Sequence, residues 1–307
     1  MNNSSYTSAN GYPIKLLTDI ELINSIINSK KILLRHLQLC PTNKCNQKCE
    51  FCSCSDRDKN LELSFKEVDK ILVTAKKHGC KGITITGGGE PLLHPNIKEI
   101  VNRCHELGIK VGLVTNGLLL EKIPYNVAWC RVSFDPSRKL LPKFKKVILK
   151  NPHIDWSFSY VLYKTPHNLK DLVMLANELK VTHVRVVSDI LNPSVNMMRM
   201  TKRLLKGIDK RVIYQDRSEP TRGTKKCLIS LLKPIVGANG KVYPCCGIQY
   251  AVKNEPLDFH HDMGKDLEKI QNKQKYFNGS LCNVCYYNQY NEVLNLLMDD
   301  VEHKEWV

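Results

Sequence analysis

Three cysteines crowd into eight residues, CNQKCEFC, as Cys45, Cys49 and Cys52 with the spacing C-x3-C-x2-C. Thiolates are soft ligands, and three on one short stretch can hold three corners of a 4Fe–4S cube. Such clusters usually take four cysteines, so a three-cysteine site leaves one iron open to bind and polarise a second molecule. A zinc site completed by Cys40, Cys54 or a histidine is the other reading, although zinc motifs favour paired C-x2–4-C units. A second set lies toward the carboxyl end: Cys227, Cys245 beyond an intervening Gly240, then Cys282 and Cys285 as CNVC. Four thiolates would fill every corner of a cube, and they would suit a structural zinc ribbon equally well. Cys246, beside Cys245, competes with it for the ligand position. Cys104 and Cys130 read as packed thiols, and Cys40 and Cys54 as neighbours of the first set.

The first set needs a scaffold, and the sequence supplies a strand-then-helix rhythm. Residues 32–39 read as a strand, and the three cysteines follow it. Ser64 opens a helix through a capping box with Glu67, and Val68, Ile71, Leu72 and Ala75 recur at helical spacing up to Gly79. Further strands are expected at 82–86, 110–115, 129–133, 156–161 and 183–188, separated by helices around 97–107, 140–150 and 169–179. Pro142 falls in the first turn of the helix at 140–150. Six strands joined by helical crossovers predict an α/β fold with a parallel sheet, a partial (β/α)6 barrel short of the eight units of closure. Active sites of such barrels gather at the carboxyl ends of the strands, where the first cysteine set falls. The rhythm breaks near 190. Residues 235–243 then read as a β-hairpin with Asn239-Gly240 at its turn, inside a small α+β cysteine-rich domain. The expected organisation is an extension with one helix over 1–32, a core over 33–215 and an auxiliary domain with a carboxyl-terminal helix over 216–307.

The motifs at successive strand ends resemble those of the radical SAM enzymes over about residues 33–190. In that family the three cysteines bind a 4Fe–4S cluster whose open iron is chelated by S-adenosylmethionine, and an aromatic residue, here Phe51, lies against the adenine. TGGGEP (86–91) is similar to the family's Gly-Gly-Glu motif. The resemblance implies that Gly88 and Gly89 admit the ligand close to the backbone and that Glu90 accepts the methionine ammonium. TNG (115–117) and SFD (133–135) look like the family's later motifs, with Asn116 and Ser133 reaching the ribose and methionine groups. Taken alone, Glu90 could also be a helix N-terminal charge, and Asn116 and Ser133 could be turn-formers. Ser159 and Ser188-Asp189 are cleft candidates by position only. His94 reads as a loop residue. The pattern C-x12-G-x4-C … C-x2-C resembles the twitch domain, the shorter relative of SPASM. That implies one auxiliary 4Fe–4S cluster on Cys227, Cys245, Cys282 and Cys285.

What the resemblance implies is reductive cleavage of S-adenosylmethionine to a 5′-deoxyadenosyl radical that takes hydrogen from a substrate. An auxiliary cluster beside the cleft would assist a net oxidation, and a donor such as flavodoxin or ferredoxin would supply electrons. The chain has 307 residues, 46 Lys+Arg against 30 Asp+Glu, a net +16. That excess favours anionic partners such as nucleotides, sugar phosphates or nucleic acid. Residues 196–226 alone hold ten Lys/Arg against three acids and are expected near the cleft mouth. A peptide-modifying SPASM-type enzyme is the alternative, disfavoured because only 44 residues precede Cys45, too few for a leader-binding domain. Nucleotide-rearranging cyclases of the twitch group end in Gly-Gly. This chain ends Glu305-Trp306-Val307, which argues against that assignment. A zinc protein binding nucleic acid through the basic stretch is the non-enzyme alternative. The apolar content of 42% excludes intrinsic disorder, and no run nears the ~18 apolar residues of a membrane span, so no membrane partner is expected. Thirteen cysteines, an odd number, and no signal-like start point to a cytoplasmic chain with reduced thiols.

Overall fold

The computed structural model describes residues 13–138, 142–208, 211–216, 221–247, 262–282 and 285–300. Two short helices open it, α1 (Ile14–Leu17) and α2 (Ile20–Ser29), where the sequence suggested one. Thr18 and Asp19 break them apart, and the Asp19 carboxylate caps α2 by accepting from Leu22 N at 3.1 Å. Leu16, Leu22 and Ile26 are buried in the main core, so this segment is packed on the fold.

Then come β1 (His36–Leu39), α3 (Phe65–Lys77), β2 (Gly82–Ile85), α4 (Ile97–Glu106), β3 (Lys110–Thr115) and β4 (Trp129–Phe134). The core continues with α5 (Pro142–Lys150), β5 (Asp155–Leu162), α6 (Leu169–Glu178), β6 (His183–Ser188), α7 (Val195–Leu204) and β7 (Val212–Gln215). The capping box forms as read: Ser64 Oγ accepts from Glu67 N, and the Glu67 carboxylate accepts from Ser64 N at 2.8 Å. Gly79 and Gly108 follow α3 and α4 in the left-handed region, at φ +94 and +65, where a side chain is strained. Pro142 opens α5, where its missing N–H costs nothing.

All six expected strands form, and β7 adds a seventh parallel strand beyond β6. The hairpin also forms, as β8 (Ile235–Val236) and β9 (Val242–Tyr243), with Gly240 at φ +72. It lies at the other edge of the same sheet, since β8 pairs in parallel with β1. Among the described residues nine strands run in the order β7-β6-β5-β4-β3-β2-β1-β8-β9, parallel except for β9, as an open sheet. Among the remaining described residues are α8 (Ile229–Leu232), α9 (Leu267–Asn272) and α10 (Asn288–Met298).

Strand alternation divides the sheet into two chemistries. Leu37, Ile83, Val111, Val132, Phe158 and Val186 are buried on the outer face in the main core. The residues between them face inward. Register aligns Val114, Arg131, Ser157 and His183 across β3 to β6 in one row, and Ser133, Ser159 and Arg185 in the next.

Candidate functional site

The first cysteine set lies on the loop after β1, and that loop is strapped to the ends of β2 and β3. Glu90 N donates to Lys44 O at 2.8 Å. A Cβ on Gly89 would stand 2.1 Å from Lys44 O, and one on Gly88 would stand 2.0 Å from Asn43 Oδ1. Gly89 is therefore required where the loop's backbone presses on the end of β2, and a side chain at 88 would have to displace the Asn43 amide. Arg57 Nε donates to Asn43 O at 3.0 Å and Nη1 reaches Cys52 Sγ at 3.4 Å. Cys54 and the Arg57 guanidinium together pull the Cys52 thiol down to about 5, while burial pushes Cys49 up to about 11. Phe51 is half-buried against Tyr163, ring centroids 4.8 Å apart, and Glu50 pairs with Lys164 at 2.7 Å. The loop after β5 thereby packs against the cysteine loop.

Glu90 is 2% exposed. Its carboxylate accepts from Thr115 Oγ1 at 2.7 Å, Asn116 N at 2.7 Å and Leu92 N at 3.1 Å, the last as the cap of a 3-10 turn at Pro91–Leu93. Burial raises its pKa, and those three donors oppose the rise. Asn116 Nδ2 donates to Asn46 Oδ1 on the cysteine loop at 2.7 Å. Arg138, its side chain 8% exposed, completes a ring. It donates to Asn116 O at 2.5 Å, to Ser133 O and to Gln47 Oε1, and it stands 3.9 Å from Asp135. The structure thus joins the cysteine loop, Glu90, Asn116 and Ser133 in one hydrogen-bonded ring at the strand ends.

The donor set of the first loop suits an iron–sulfur cluster: three thiols, none in a disulfide. Among the described residues, no three His, Cys, Asp or Glu side chains are drawn together as a formed metal site. The loop carries the chemistry of such a site without its closed geometry. The second set is more enclosed. Cys227, Cys245, Cys282 and Cys285 all line one cavity of about 20 Å³. Its walls are zipped by Cys227 N to Phe277 O at 3.0 Å, Gly223 N to Cys282 O at 2.9 Å and Cys285 N to Thr221 O at 2.7 Å. A Cβ on Gly223 would stand 2.1 Å from Gly279 O, so only glycine lets these loops meet. Cys246 lines a different cavity and stands 3.6 Å from the Tyr287 hydroxyl.

That other cavity, about 750 Å³, occupies the inner face of the sheet, with Arg131, Arg185, Lys233, His36 and His183 in its wall. None of these, nor Arg138, Asn46 or Gln47, was singled out from the sequence. The strand residues had a signal, since each is the polar member of an alternating pair, as in HVRVVS. Arg138 had none. Ser159 does face inward, and its hydroxyl accepts from Arg185 Nη2 at 3.0 Å. Ser188 bonds Asp216, and Asp189 accepts from Leu191 N at 2.9 Å, a local turn. His94 is buried and tied to Leu63 O and Asn96 N, a loop clamp. Cys40, Cys104 and Cys130 are fully buried. Of the basic stretch, Arg199, Lys202 and Arg203 are exposed on α7 and Lys206 just beyond it, and none lines the cavity. Lys210 and Arg217, like residues 305–307, lie outside the described residues.

A parallel sheet with a polar inner cavity and a cysteine loop at its carboxyl edge defines a partial-barrel protein. Residues 39–155 match the Radical SAM superfamily. The chain is 39% identical over 93 residues to the probable GTP 3′,8-cyclase of Methanocaldococcus jannaschii, a span of 29% of this chain and 31% of that protein. The match therefore spans under a third of that relative's length. Among solved structures, SuiB of Streptococcus suis superposes with a TM-score of 0.59 at 16% identity, covering 96% of this chain and 81% of that one. The structure titled native anSMEcpe gives 0.51 at 16% identity, covering 89% and 86%. Identities this low speak for the fold alone. No described helix is long and apolar enough to cross a membrane.

Proposed function

We propose that this chain uses S-adenosylmethionine, with a 4Fe–4S cluster on Cys45, Cys49 and Cys52, to take hydrogen from an anionic substrate held on the inner face of the sheet. When bound, such a cluster supplies the single electron that splits S-adenosylmethionine into methionine and a 5′-deoxyadenosyl radical. The protein binds, orients and excludes water. Glu90 accepts the methionine ammonium with the lone pairs that Thr115, Asn116 and Leu92 leave over. Asn116 and Ser133 reach the ribose and methionine groups, and Phe51 lies against the adenine. Cys227, Cys245, Cys282 and Cys285 hold an auxiliary 4Fe–4S cluster whose four protein ligands leave no iron open. A donor such as flavodoxin or ferredoxin reduces the protein.

The observation that supports this reading is the ring through Glu90, Asn116, Ser133, Arg138 and Gln47, in which three strand-end motifs meet the cysteine loop. The matched relative is named a GTP 3′,8-cyclase, which supports a nucleotide among anionic substrates. The test is anaerobic. Reconstituted full-length protein should hold about 8 iron. With a strong reductant it should form 5′-deoxyadenosine and methionine, and the triple variant Cys45→Ala, Cys49→Ala, Cys52→Ala should form none. A colourless zinc protein that leaves S-adenosylmethionine intact would overturn the reading.

A further inference from the structure

Resting on that reading, we propose that Arg57 raises the reduction potential of the cluster on Cys45, Cys49 and Cys52, acting through a charged hydrogen bond to the Cys52 sulfur. Arg57 lies on the same loop as the three cysteines, and its Nη1 donates to Cys52 Sγ at 3.4 Å. The guanidinium is held there from more than one side. Nε donates to Asn43 O at 3.0 Å, and Nη1 also donates to Cys54 O. Asn43 is itself buried and fixed: its N donates to Leu61 O at 3.0 Å and its Nδ2 to Asp58 O at 2.9 Å. A Cβ on Gly88 would stand 3.2 Å from Arg57 Cδ, so the bare backbone at the end of β2 leaves room for the arginine stem. A surface arginine ordinarily keeps its head in water. This one is half-buried, with its head turned onto two carbonyls and a sulfur.

The two carbonyl bonds orient the head, and the contact with sulfur is the one that bears on chemistry. An electron added to an iron–sulfur cluster spreads onto its thiolate ligands. A donor N–H and a fixed positive charge beside one of those sulfurs stabilise the form with the extra negative charge. Hydrogen bonds to the sulfurs, and the residues that surround the ligands, are the means by which a protein moves such a potential. The sign follows from the charge of the donor: Arg57 makes the cluster easier to reduce. The cysteines differ in this respect. Cys49 Sγ faces a neutral acceptor, Gln47 Oε1, at 3.5 Å, whereas Cys52 Sγ faces a cation. Arg57 acts through Cys52 and is therefore a positioning residue. A simple brace for the loop would affect how well iron is held, and would leave the potential of the iron that is held unchanged.

The test is a redox titration of reconstituted full-length protein without S-adenosylmethionine, with the reduced cluster read by EPR. Arg57→Gln should move the reduction equilibrium toward the oxidised form at least about tenfold, as expected for losing a hydrogen bond from a charged group. For one electron a tenfold change is a potential lowered by about 59 mV. Lys59→Gln removes an exposed cation from the same loop and should stay close to wild type. A further measurement uses the wild type alone. With its arginines labelled with heavy nitrogen, pulsed EPR of the reduced protein should show a labelled nitrogen coupled to the cluster, whether or not the variants fold. An unchanged potential in Arg57→Gln, an equal fall in Lys59→Gln or a wild type without nitrogen coupling would each overturn the proposal. A wild type that assembles no cluster tells against the function above and takes this proposal with it. A wild type that cleaves S-adenosylmethionine while these readouts fail tells only against Arg57.

Discussion

Glu90 does two things with one carboxylate. It holds the start of the 3-10 turn and the end of β3 through three accepted hydrogen bonds, and it stands in the ring facing the cysteine loop. Glu90→Ala should therefore lower both thermal stability and cofactor affinity. A hydrogen bond to a charged group is worth about 1.5–3 kcal/mol, so S-adenosylmethionine binding should weaken by about ten- to a hundredfold, measured on reconstituted protein by equilibrium dialysis. Unchanged affinity with a lowered melting temperature would make Glu90 a brace only. Glu90, Asn116 and Ser133 were legible because each sits in a short motif at a strand end. Arg138 was not. It follows a turn, belongs to no periodic pattern, and acquires its role only when the ends of β3 and β4 and the cysteine loop converge on its guanidinium.

At the scale of elements, strong local signals were read correctly. The capping box of α3, the glycines after α3 and α4, and the six core strands all carry their cause within a few residues. β7 escaped notice because VIYQ is four residues long in a charge-rich stretch. The hairpin was seen, but its place against β1 was not, since pairing between distant segments leaves no local pattern. Gly112 on β3 offers a test of how tightly the inner face is built. A Cβ there would stand 2.0 Å from Trp129 Cε2 on β4. Gly112→Ala should displace the indole, costing about 1–3 kcal/mol by overpacking and shifting the tryptophan emission. An unaltered spectrum and stability would mean that Trp129 does not pack across β3.

The charge of the whole molecule meets its fold at the inner cavity. His183, ordinarily near 6.5, is held down to about 4 by burial and by Arg131, Arg185 and Lys15. The folded form therefore resists a proton that the unfolded chain accepts. Above 6.5 both states are neutral and the group has no effect. Between 6.5 and 4 the unfolded state gains the proton alone, so stability falls on acidification, by up to about 3 kcal/mol from this residue. His36 is lowered too, first by burial and then by Lys233 and Lys15, and it adds in the same direction. Denaturant melts between pH 7 and 4.5 should show this slope, and His183→Gln should flatten it. A slope unchanged in that variant would place the acid sensitivity elsewhere.

β1 lies between β2, which follows it closely in sequence, and β8, which comes only after the whole α/β core. During synthesis its outer edge must wait, its amides and carbonyls unsatisfied, until Ile235 and Val236 have left the ribosome. A waiting edge strand is a template for the wrong partner, and contacts so distant in sequence close slowly. Production of this protein should therefore respond to translation rate and chaperone supply, because its first core strand is protected by one of its last.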